Sequence, residues 1–466
     1  MILAAGRGQR MRSELPKVLQ HIGGMPLLQH ILLTIAEIKP LQTLVVVGYK
    51  QELVREKLCA QLRDTALPAL PGLTWVNQEQ QLGTGDAVRS AVAHLAAAAD
   101  RVLVLNGDVP LIKAATINRL LTNTPATALG LLTAKVVNPY GLGRIIRNPN
   151  TQGITAIVEE KDASAAEKMI AEINPGIYVF PKQALLQLLP QLVANNAQQE
   201  IYITDVIALA IANGIAVHTE PVENAIEVQG VNTLVELAKL EREYQRMRAE
   251  DYMLQGVVIA DPQRIDLRAA LANDQLIAPG VYIDINVILE GKICIAENVQ
   301  IGANVWIKDS EVCAGAVILP NSIIDGAKIG AGCQVGPFAR IRPGTELQAQ
   351  AKIGNFVEVK QSTIGVGSKV NHLSYIGDTE IGKQVNVGAG TITCNYDGAN
   401  KHKTIIGDDV LIGSDTQLIA PVMIGAGTTI AAGTTVTKDV PAGKLLLNKK
   451  KNRVIDDWQR PSKQRG

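Results

Sequence analysis

Aromatic side chains are scarce in this chain of 466 residues: Phe, Trp and Tyr together make up 3%, against 41 glycines. A core built on aromatic rings is excluded over much of the length, so part of it must be packed from small aliphatics. An excess of one charge is also lacking. Lys and Arg number 45 and Asp and Glu 44, a formal net charge of +1. No long-range field then draws the chain to nucleic acid or to an anionic membrane, and neither partner is expected; a local basic pocket stays open. No apolar run approaches the ~18–20 residues that a membrane helix needs. The opening Met1-Ile2-Leu3-Ala4-Ala5-Gly6-Arg7 is too short for a signal-peptide apolar region and has its first charge on the wrong side. Only Met1 and Ile2 precede Leu3-Ala4-Ala5-Gly6, a short first strand that raises the expectation of a few further residues ahead of it. Cysteine is thin too. Cys59, Cys294, Cys313, Cys333 and Cys394 are odd in number, widely spaced and without a CxxC pair, so neither a disulfide framework nor a zinc cluster is supported. A reducing cytoplasm is the expected compartment.

What is present is a folding composition, 47% hydrophobic and 19% charged, with length for two or three domains at roughly 100–200 residues each. The first ~230 residues alternate two patterns. Apolar runs at 43–47, 102–105, 130–137 and 176–180 predict buried strands, and 27–38, 83–97, 183–193 and 205–213 have helical spacing. This alternation predicts an α/β domain with a mostly parallel sheet, whose ligands bind where the loops leave the carboxyl ends of the strands. In 231–255, Leu234, Leu237, Leu240, Tyr244 and Met247 recur at three- and four-residue steps between charges, and Gly256 offers a stop. One long amphipathic helix linking two domains is expected there.

Beyond it an aliphatic returns every six residues. Ile301 and Ile307 begin the series; Ile329, Val335, Ile341, Leu347, Ile353 and Val359 continue it, then Ile364, Val370 and Ile376, then Ile381 and Val387. Ile406, Ile412, Leu418, Ile424, Ile430 and Val436 resume it after a break. A six-residue repeat led by an aliphatic and often followed by Gly is the signature of a parallel β-helix, three hexads to a triangular coil, with Gly or Asn at the corners. The break at 391–400 cannot join a stacked core and is expected to project as a functional loop.

The loop Leu3-Ala4-Ala5-Gly6-Arg7-Gly8-Gln9-Arg10-Met11 follows the first apolar run. It lacks the Gly-Lys-Ser/Thr of a P-loop, and Met11 sits where a dinucleotide fingerprint has its third Gly. Gly6 and Gly8 let the backbone wrap a phosphate, and Arg7, Arg10 and Lys17 bring positive charge; a plain strand-to-helix turn with solvated arginines is the other reading. With Leu15-Pro16-Lys17 added, the segment resembles the nucleotide-binding signature of the sugar-nucleotide pyrophosphorylases. Gln78, Leu82-Gly83-Thr84-Gly85, Gly107-Asp108, Gly143-Arg144, Glu159-Glu160-Lys161, Asn174 and Gly230-Val231-Asn232 follow in the expected order. With the β-helix behind them, the whole chain resembles the bacterial bifunctional enzymes that combine N-acetylglucosamine-1-phosphate uridyltransferase and glucosamine-1-phosphate N-acetyltransferase activities. The resemblance implies a Rossmann-like nucleotidyltransferase domain at 1–234, a helical linker at 235–255 and a left-handed parallel β-helix with a C-terminal tail at 256–466.

For uridylyl transfer the resemblance implies that Leu3, Gly6, Gly8 and Arg10 hold the triphosphate and Lys17 the α-phosphate. Gln78, Gly83 and Thr84 would meet uracil, Gln78 accepting from the ring N–H with its carbonyl and donating to a ring carbonyl with its NH₂. Gly143, Glu159 and Asn174 would hold the sugar, Asn174 being otherwise a loop amide. Asp108 and Asn232 would hold Mg²⁺, which favours few protein ligands beside phosphate oxygens; Asp108 could otherwise cap the turn into Val109-Pro110. Pro175 stands where the family commonly has Thr, and Asn106 where it often has Tyr.

In the repeats, Asn371-His372-Leu373-Ser374-Tyr375-Ile376-Gly377-Asp378 breaks the small-residue rule and matches the family's acetyltransferase segment. The substrate amine is largely an ammonium near neutral pH, and imidazole is the natural group to take its proton, which makes His372 the candidate base. Glu358 is a candidate to orient it, or a solvated face charge. The resemblance assigns Arg342, Lys360 and Tyr375 to the sugar phosphate, Asn386, Asn395 and Tyr396 to the amino-sugar and acetyl sites, and Ala389, Ser414 and Ala432 to the CoA groove. Lys449 stands where the family often has an Arg that reaches CoA. Acetyl-CoA, UTP and glucosamine-1-phosphate are the implied substrates and a homotrimer the implied assembly. Two rival readings remain: a pyrophosphorylase whose β-helix is only a prop, and a regulatory subunit without activity.

Overall fold

A computed structural model describes residues 1–64, 70–268, 275–448 and 454–460. The chain divides into two compact units, Met1–Met247 and Arg248–Gly466.

The first unit is a ten-stranded sheet in the order Thr74–Asn77, Leu44–Val47, Ile2–Ala4, Arg101–Asn106, Tyr178–Pro181, Leu129–Lys135, Glu172–Asn174, Gly143–Arg147 and Ile154–Val158, with Val217–Pro221 also paired to Leu129–Lys135. Its first four strands are parallel. From Tyr178–Pro181 outward the pairings are antiparallel, apart from that of Val217–Pro221. The sheet is therefore mixed and not mostly parallel. The reason is local: 143–158 folds as a hairpin, and Tyr178–Pro181 enters between two older strands instead of extending the edge. Helices Leu27–Ile38, Gln51–Asp64, Thr84–Val92, Ala114–Asn123, Lys182–Leu188 and Asp205–Ala212 accompany it. The helix expected over 183–193 stops at Leu188 because Pro190 lacks an N–H, and a 3₁₀ turn, Leu189–Gln191, finishes it. Val45 and Val47 pack in one core with Leu28 and Ile31, while Leu44 and Val46 pack in another with Ala87 and Ala91. A strand alternates its side chains, so a run that is apolar throughout needs cover on both faces.

The register of the parallel strands sets where their loops leave the sheet. Ala4 lies opposite Val47, Val47 opposite Asn77, and Leu3 opposite Asn106. The loops that begin at Ala5, Gly48, Gln78 and Gly107 therefore leave one edge side by side.

The helix Leu234–Leu254 starts on a capping box. Glu236 N–H donates to the Thr233 hydroxyl, and the Glu236 carboxylate accepts from the backbone N–H groups of Asn232 and Thr233. Leu240 and Tyr244 are buried in the first unit's core, and Ala249 and Tyr252 in the second unit's.

The second unit is wound from two parallel sheets, one of 11 and one of 17 strands. Each turn of chain passes once through the first and twice through the second, which gives three strands per coil. Every aliphatic of the six-residue series is buried. They stack in register, as in Ile301–Ile318–Val335–Ile353–Val370–Val387–Ile412–Ile430. One corner is an asparagine ladder: Asn286 donates to Asn304 at 3.0 Å and Asn304 to Asn321 at 3.1 Å, each with a positive φ that Asn tolerates. The insertion is shorter than the sequence pattern indicates. Ile392–Cys394 still pairs within the coil, and Thr391 and Thr393 fill interior positions. Threonines in place of aliphatics hide those positions, and among the described residues the projecting segment runs from Tyr396 to His402.

Candidate functional sites

The edge of the first unit's sheet gathers the nucleotide candidates. Leu3 sits in the strand that feeds the glycine-rich loop. Gly6 is exposed with open space around it. Gly8 has φ +65°, and a Cβ there would lie 2.7 Å from Lys17 Cβ, so glycine lets the loop close on the lysine. Exposed Arg10 lies in the 3₁₀ turn Gln9–Met11. A cavity of about 280 Å³ opens beside it, lined by Arg7, Gly8, Gln9, Arg12, Ser13 and Tyr49. The Arg7 guanidinium lies 5.4 Å from the centre of the Tyr49 ring. Arg12 and Tyr49 were not singled out from sequence; Tyr49 is brought in by the strand register.

Lys17 points its ammonium at Asp108 and at Asn232. It is ion-paired to the Asp108 carboxylate and donates to Asn232 Oδ1 at 2.9 Å. Asp108 is fixed because its backbone carbonyl accepts from Val231 N–H, and Asn232 by the capping box. Two oxygen donors thus converge on one positive charge. That set suits a hard cation that keeps most of its shell for water and phosphate. Among the described residues no group of three or more His, Cys, Asp or Glu could hold a metal, so the alternative of a protein-only cage is missing there.

Gln78 is buried, 4% exposed. Its NH₂ donates to Gly83 O at 3.1 Å and to Asp86 Oδ2 at 2.8 Å. Both N–H groups are spent, so the expected donation from Gln78 to a ring carbonyl does not hold; a carboxylate and a carbonyl have claimed them. Gly83, at φ +116°, would drive a Cβ to 2.5 Å from Ile201 O. Thr84 Oγ1 accepts from Ile203 N–H at 3.1 Å.

The sugar candidates also meet. Gly143 and Asn174 are register partners, and a Cβ on Gly143 would lie 3.3 Å from Glu159 Oε1. Arg144, 1% exposed, reaches Glu160 at 2.6 Å and fixes this corner. Burial raises the Glu159 carboxyl above its ordinary range; Asp205 and Asp162 push the same way and Arg144 opposes. Asn174 is partly committed, donating to Tyr178 Oη at 2.6 Å and accepting from Gly176 N–H at 3.1 Å. Asn106 and Pro175, the two departures from the family pattern, touch each other, Asn106 donating to Pro175 O at 3.4 Å.

In the coil, His372 is exposed and its Nδ1 lies 2.6 Å from Asn355 Oδ1, its register partner one coil earlier. A carbonyl oxygen only accepts, so a neutral ring paired with it donates from Nδ1 and leaves Nε2 its lone pair. Glu358 is not the orienting group. It is held by Arg342 at 2.7 Å and pairs in register with Tyr375. Asn355 was missed because its partner is a full coil away in sequence. Lys360 lies 3.9 Å from Asp378, which also accepts from Asn395. Lys401, likewise not singled out, sets its ammonium against that of Lys360, which holds it below the ordinary lysine range. Tyr375 packs beside Gly377, where a Cβ would lie 2.5 Å from its hydroxyl. Asn386 faces outward in register with Lys369.

The projecting loop is a small hairpin closed by a Tyr396–Lys401 bridge. Asp397 accepts from Asn400 and Ala399 N–H and sits 2.6 Å from His402 Nε2. Those bonds, Asn400's first, hold its carboxyl well below the usual range. Tyr396 is exposed, and its hydroxyl donates to Gly398 O at 2.6 Å.

His372, Ala389, Ser414 and Ala432 each stand two residues beyond stacked Val370, Val387, Ile412 and Ile430. They form one column, with His372 at its head. At ~4.8 Å between strands the column runs roughly 14 Å. Lys449 lies outside the described residues.

Residues 1–199 match the MobA-like NTP transferase domain, and residues 403–438 the six-repeat bacterial transferase hexapeptide family. A UDP-glucose pyrophosphorylase solved with UDP-glucose matches at 16% identity and TM-score 0.42, over 53% of this chain and 98% of that one. Three relatives named bifunctional protein GlmU align nearly end to end. That of Acidithiobacillus ferrooxidans is 50% identical over 99% of this chain and 98% of its own. That of Stutzerimonas stutzeri is 48% identical over 99% of both, and that of Pseudomonas putida 49% over 99% and 98%. At 48–50% identity to these relatives over 99% of its length, this chain belongs to the family of the bifunctional protein GlmU.

Proposed function

We propose that the chain makes UDP-N-acetylglucosamine in two steps at these two sites, uridylyl transfer in 1–234 and acetyl transfer in 256–466, joined by the helix between them. In the coil, His372 Nε2 takes a proton from the amino group of glucosamine-1-phosphate. The freed amine attacks the acetyl-CoA thioester carbonyl, the C–S bond breaks, and the CoA thiolate recovers a proton. Arg342, Lys360 and Lys401 neutralise the sugar phosphate, with Tyr375 beside it. Asn386, Asn395 and Tyr396 close the amino-sugar and acetyl end. The column through Ala389, Ser414 and Ala432 offers a path of small side chains along which CoA lies close to the coil.

On the sheet edge, a phosphate oxygen of N-acetylglucosamine-1-phosphate attacks the α-phosphorus of UTP and pyrophosphate leaves. The nucleophile is already anionic, so the residues' work is to position and to neutralise. Gly6, Gly8, Arg10 and Lys17 face the triphosphate, Gln78, Gly83 and Thr84 the base, and Gly143, Glu159 and Asn174 the sugar. Asp108 and Asn232 would hold a divalent cation, Mg²⁺, which supplies charge neutralisation when bound. No helix of the described residues is long and apolar enough to cross a membrane. Among the described residues no two cysteines are joined in a disulfide, which fits a reducing cytoplasm.

The observation that carries the bifunctional reading is the His372–Asn355 pair. A coil serving only as a prop has no use for an exposed imidazole held by an asparagine of the preceding coil. The test is thiol release from acetyl-CoA with glucosamine-1-phosphate, and pyrophosphate release from UTP with N-acetylglucosamine-1-phosphate. Asp108→Ala should abolish the second and leave the first. Absence of thiol release from the folded protein would return the coil to a structural role.

A homotrimer is part of this proposal. Where the asparagine corner ends, Phe338, Phe356 and Leu373 take the same left-handed backbone position, at φ +55°, +57° and +50°, and are 50%, 56% and 62% exposed. The two rings stack at 5.4 Å, and Leu373 is next in sequence to His372. Bulky apolar residues in strained, exposed corners are explained by a second copy that covers them.

A further inference from the structure

Uracil and cytosine differ at the ring edge. Uracil presents N3–H, a donor, beside its C4 carbonyl; cytosine presents N3 as an acceptor beside an amine. A glutamine amide can serve either base, depending on which way its O and N point. Gln78 has no such choice. Both of its NH₂ contacts are to acceptors, Gly83 O at 3.1 Å and Asp86 Oδ2 at 2.8 Å. Turning the amide over would set its carbonyl oxygen against a carbonyl and a carboxylate in a buried site. Among the described residues nothing donates to Gln78 Oε1, and none accepts from the backbone N–H groups of Gly83 and Thr84.

We infer that Asp86 is the residue that fixes base selectivity, by locking the Gln78 amide with its oxygen toward the ligand so that a uracil imide N–H is accepted and a cytosine N3 is repelled. This rests on the uridylyl-transfer reading above. Asp86 lies in the first turn of the helix Thr84–Val92. Its carboxylate also suits the positive end of the helix dipole, so its place is supported whether or not nucleotide is present. Gly83 contributes its carbonyl as the second anchor and, with Thr84, the N–H groups left to receive a ring carbonyl. Asp86 acts through Gln78 and is a positioning residue.

The test compares kcat/KM for UTP and for CTP on the full chain, with N-acetylglucosamine-1-phosphate and Mg²⁺. Asp86→Ala frees the amide to turn, and the preference for UTP should fall about tenfold or more, as expected when one hydrogen bond no longer discriminates. Asp86→Asn can still present a carbonyl oxygen to Gln78 and should keep most of the preference. A purely structural role for Asp86 would depress both nucleotides alike and leave the ratio within twofold; that result, in a folded Asp86→Ala protein, overturns the inference. Gln78→Ala separates the two levels. If it erases the preference while Asp86→Ala does not, the lock is wrong and Gln78 still meets the base. If it too leaves the ratio unchanged, Gln78 does not meet the base and both fall.

Discussion

At the scale of single residues, the base proposed for the coil site has its partner one turn away. Asn355 Oδ1 at 2.6 Å sets the His372 tautomer. Asn355→Ala should therefore slow acetyl transfer by roughly 10- to 100-fold, short of removing the imidazole. Asn355→Asp is the sharper test, because a carboxylate beside the ring favours its charged form. The acid limb of the rate should move to higher pH, where the ring is again neutral, and an unmoved limb would show that Asn355 only fills space. A second residue-scale consequence concerns Lys17, whose ammonium stands where Asp108 and Asn232 would hold a metal. Before nucleotide arrives, a metal must displace it. Lys17→Met should bind Mn²⁺ several-fold more tightly than the parent in calorimetry or electron paramagnetic resonance without nucleotide, while UTP binding weakens; unchanged Mn²⁺ affinity would refute the competition. The candidates of both sites could be named from the sequence because two contiguous segments, 3–17 and 371–378, carry the family resemblance, which then assigned the scattered positions. Asn355, Asp86 and Lys401 were not, since each acts through a contact that only the fold creates. Glu358 was placed beside His372 by proximity in sequence, whereas the coil register hands it to Arg342 and Tyr375.

At the scale of elements, the inward ladder of the coil could be read directly, because a period of six survives any change of outward residue. Its corners could not. Asn286, Asn304 and Asn321 satisfy each other along one edge, and nothing in the period tells that Phe338 and Phe356 continue that edge. In the first unit Ile2–Ala4, Leu44–Val47, Arg101–Asn106, Leu129–Lys135 and Tyr178–Pro181 were visible as apolar runs, while the strand Thr74–Asn77, the hairpin Gly143–Val158 and the helices Gln51–Asp64 and Ala114–Asn123 were too short or too polar to stand out. The corner gives a prediction with two signs. Asn tolerates positive φ where Phe is strained. Replacing Phe338 and Phe356 together by Asn should leave the coil folded, by circular dichroism, yet shift sedimentation from trimer toward monomer and cut acetyl transfer at least tenfold. A variant that stays trimeric would place the subunit contact on another face.

At the scale of the whole molecule, two chemistries share one chain without sharing groups. The nucleotide candidates run from Leu3 to Asn232, and the acetyl candidates from Arg342 onward. Each set sits on its own hydrophobic core, the aliphatic stack of the coil on one side and the sheet clusters on the other. Mutations with no shared partners are expected to act independently. His372 and Arg10 are both exposed, so truncating either leaves the core of its unit intact. Removing the imidazole takes the base and leaves the rest of the pocket, a loss of typically ~10²–10⁴-fold. His372→Ala should therefore lose acetyl transfer while uridylyl transfer from supplied N-acetylglucosamine-1-phosphate stays within about twofold, as expected for independent sites. Arg10→Ala strips charge from the triphosphate loop and touches nothing in the coil, so it should show the reverse. Both variants belong in both assays, with folding checked by circular dichroism. Normal acetylation by His372→Ala would mean another group takes the proton, and the Asn355 dependence would then be void as well. If either folded variant loses both activities, the two sites are coupled and the separation drawn from their cores is wrong.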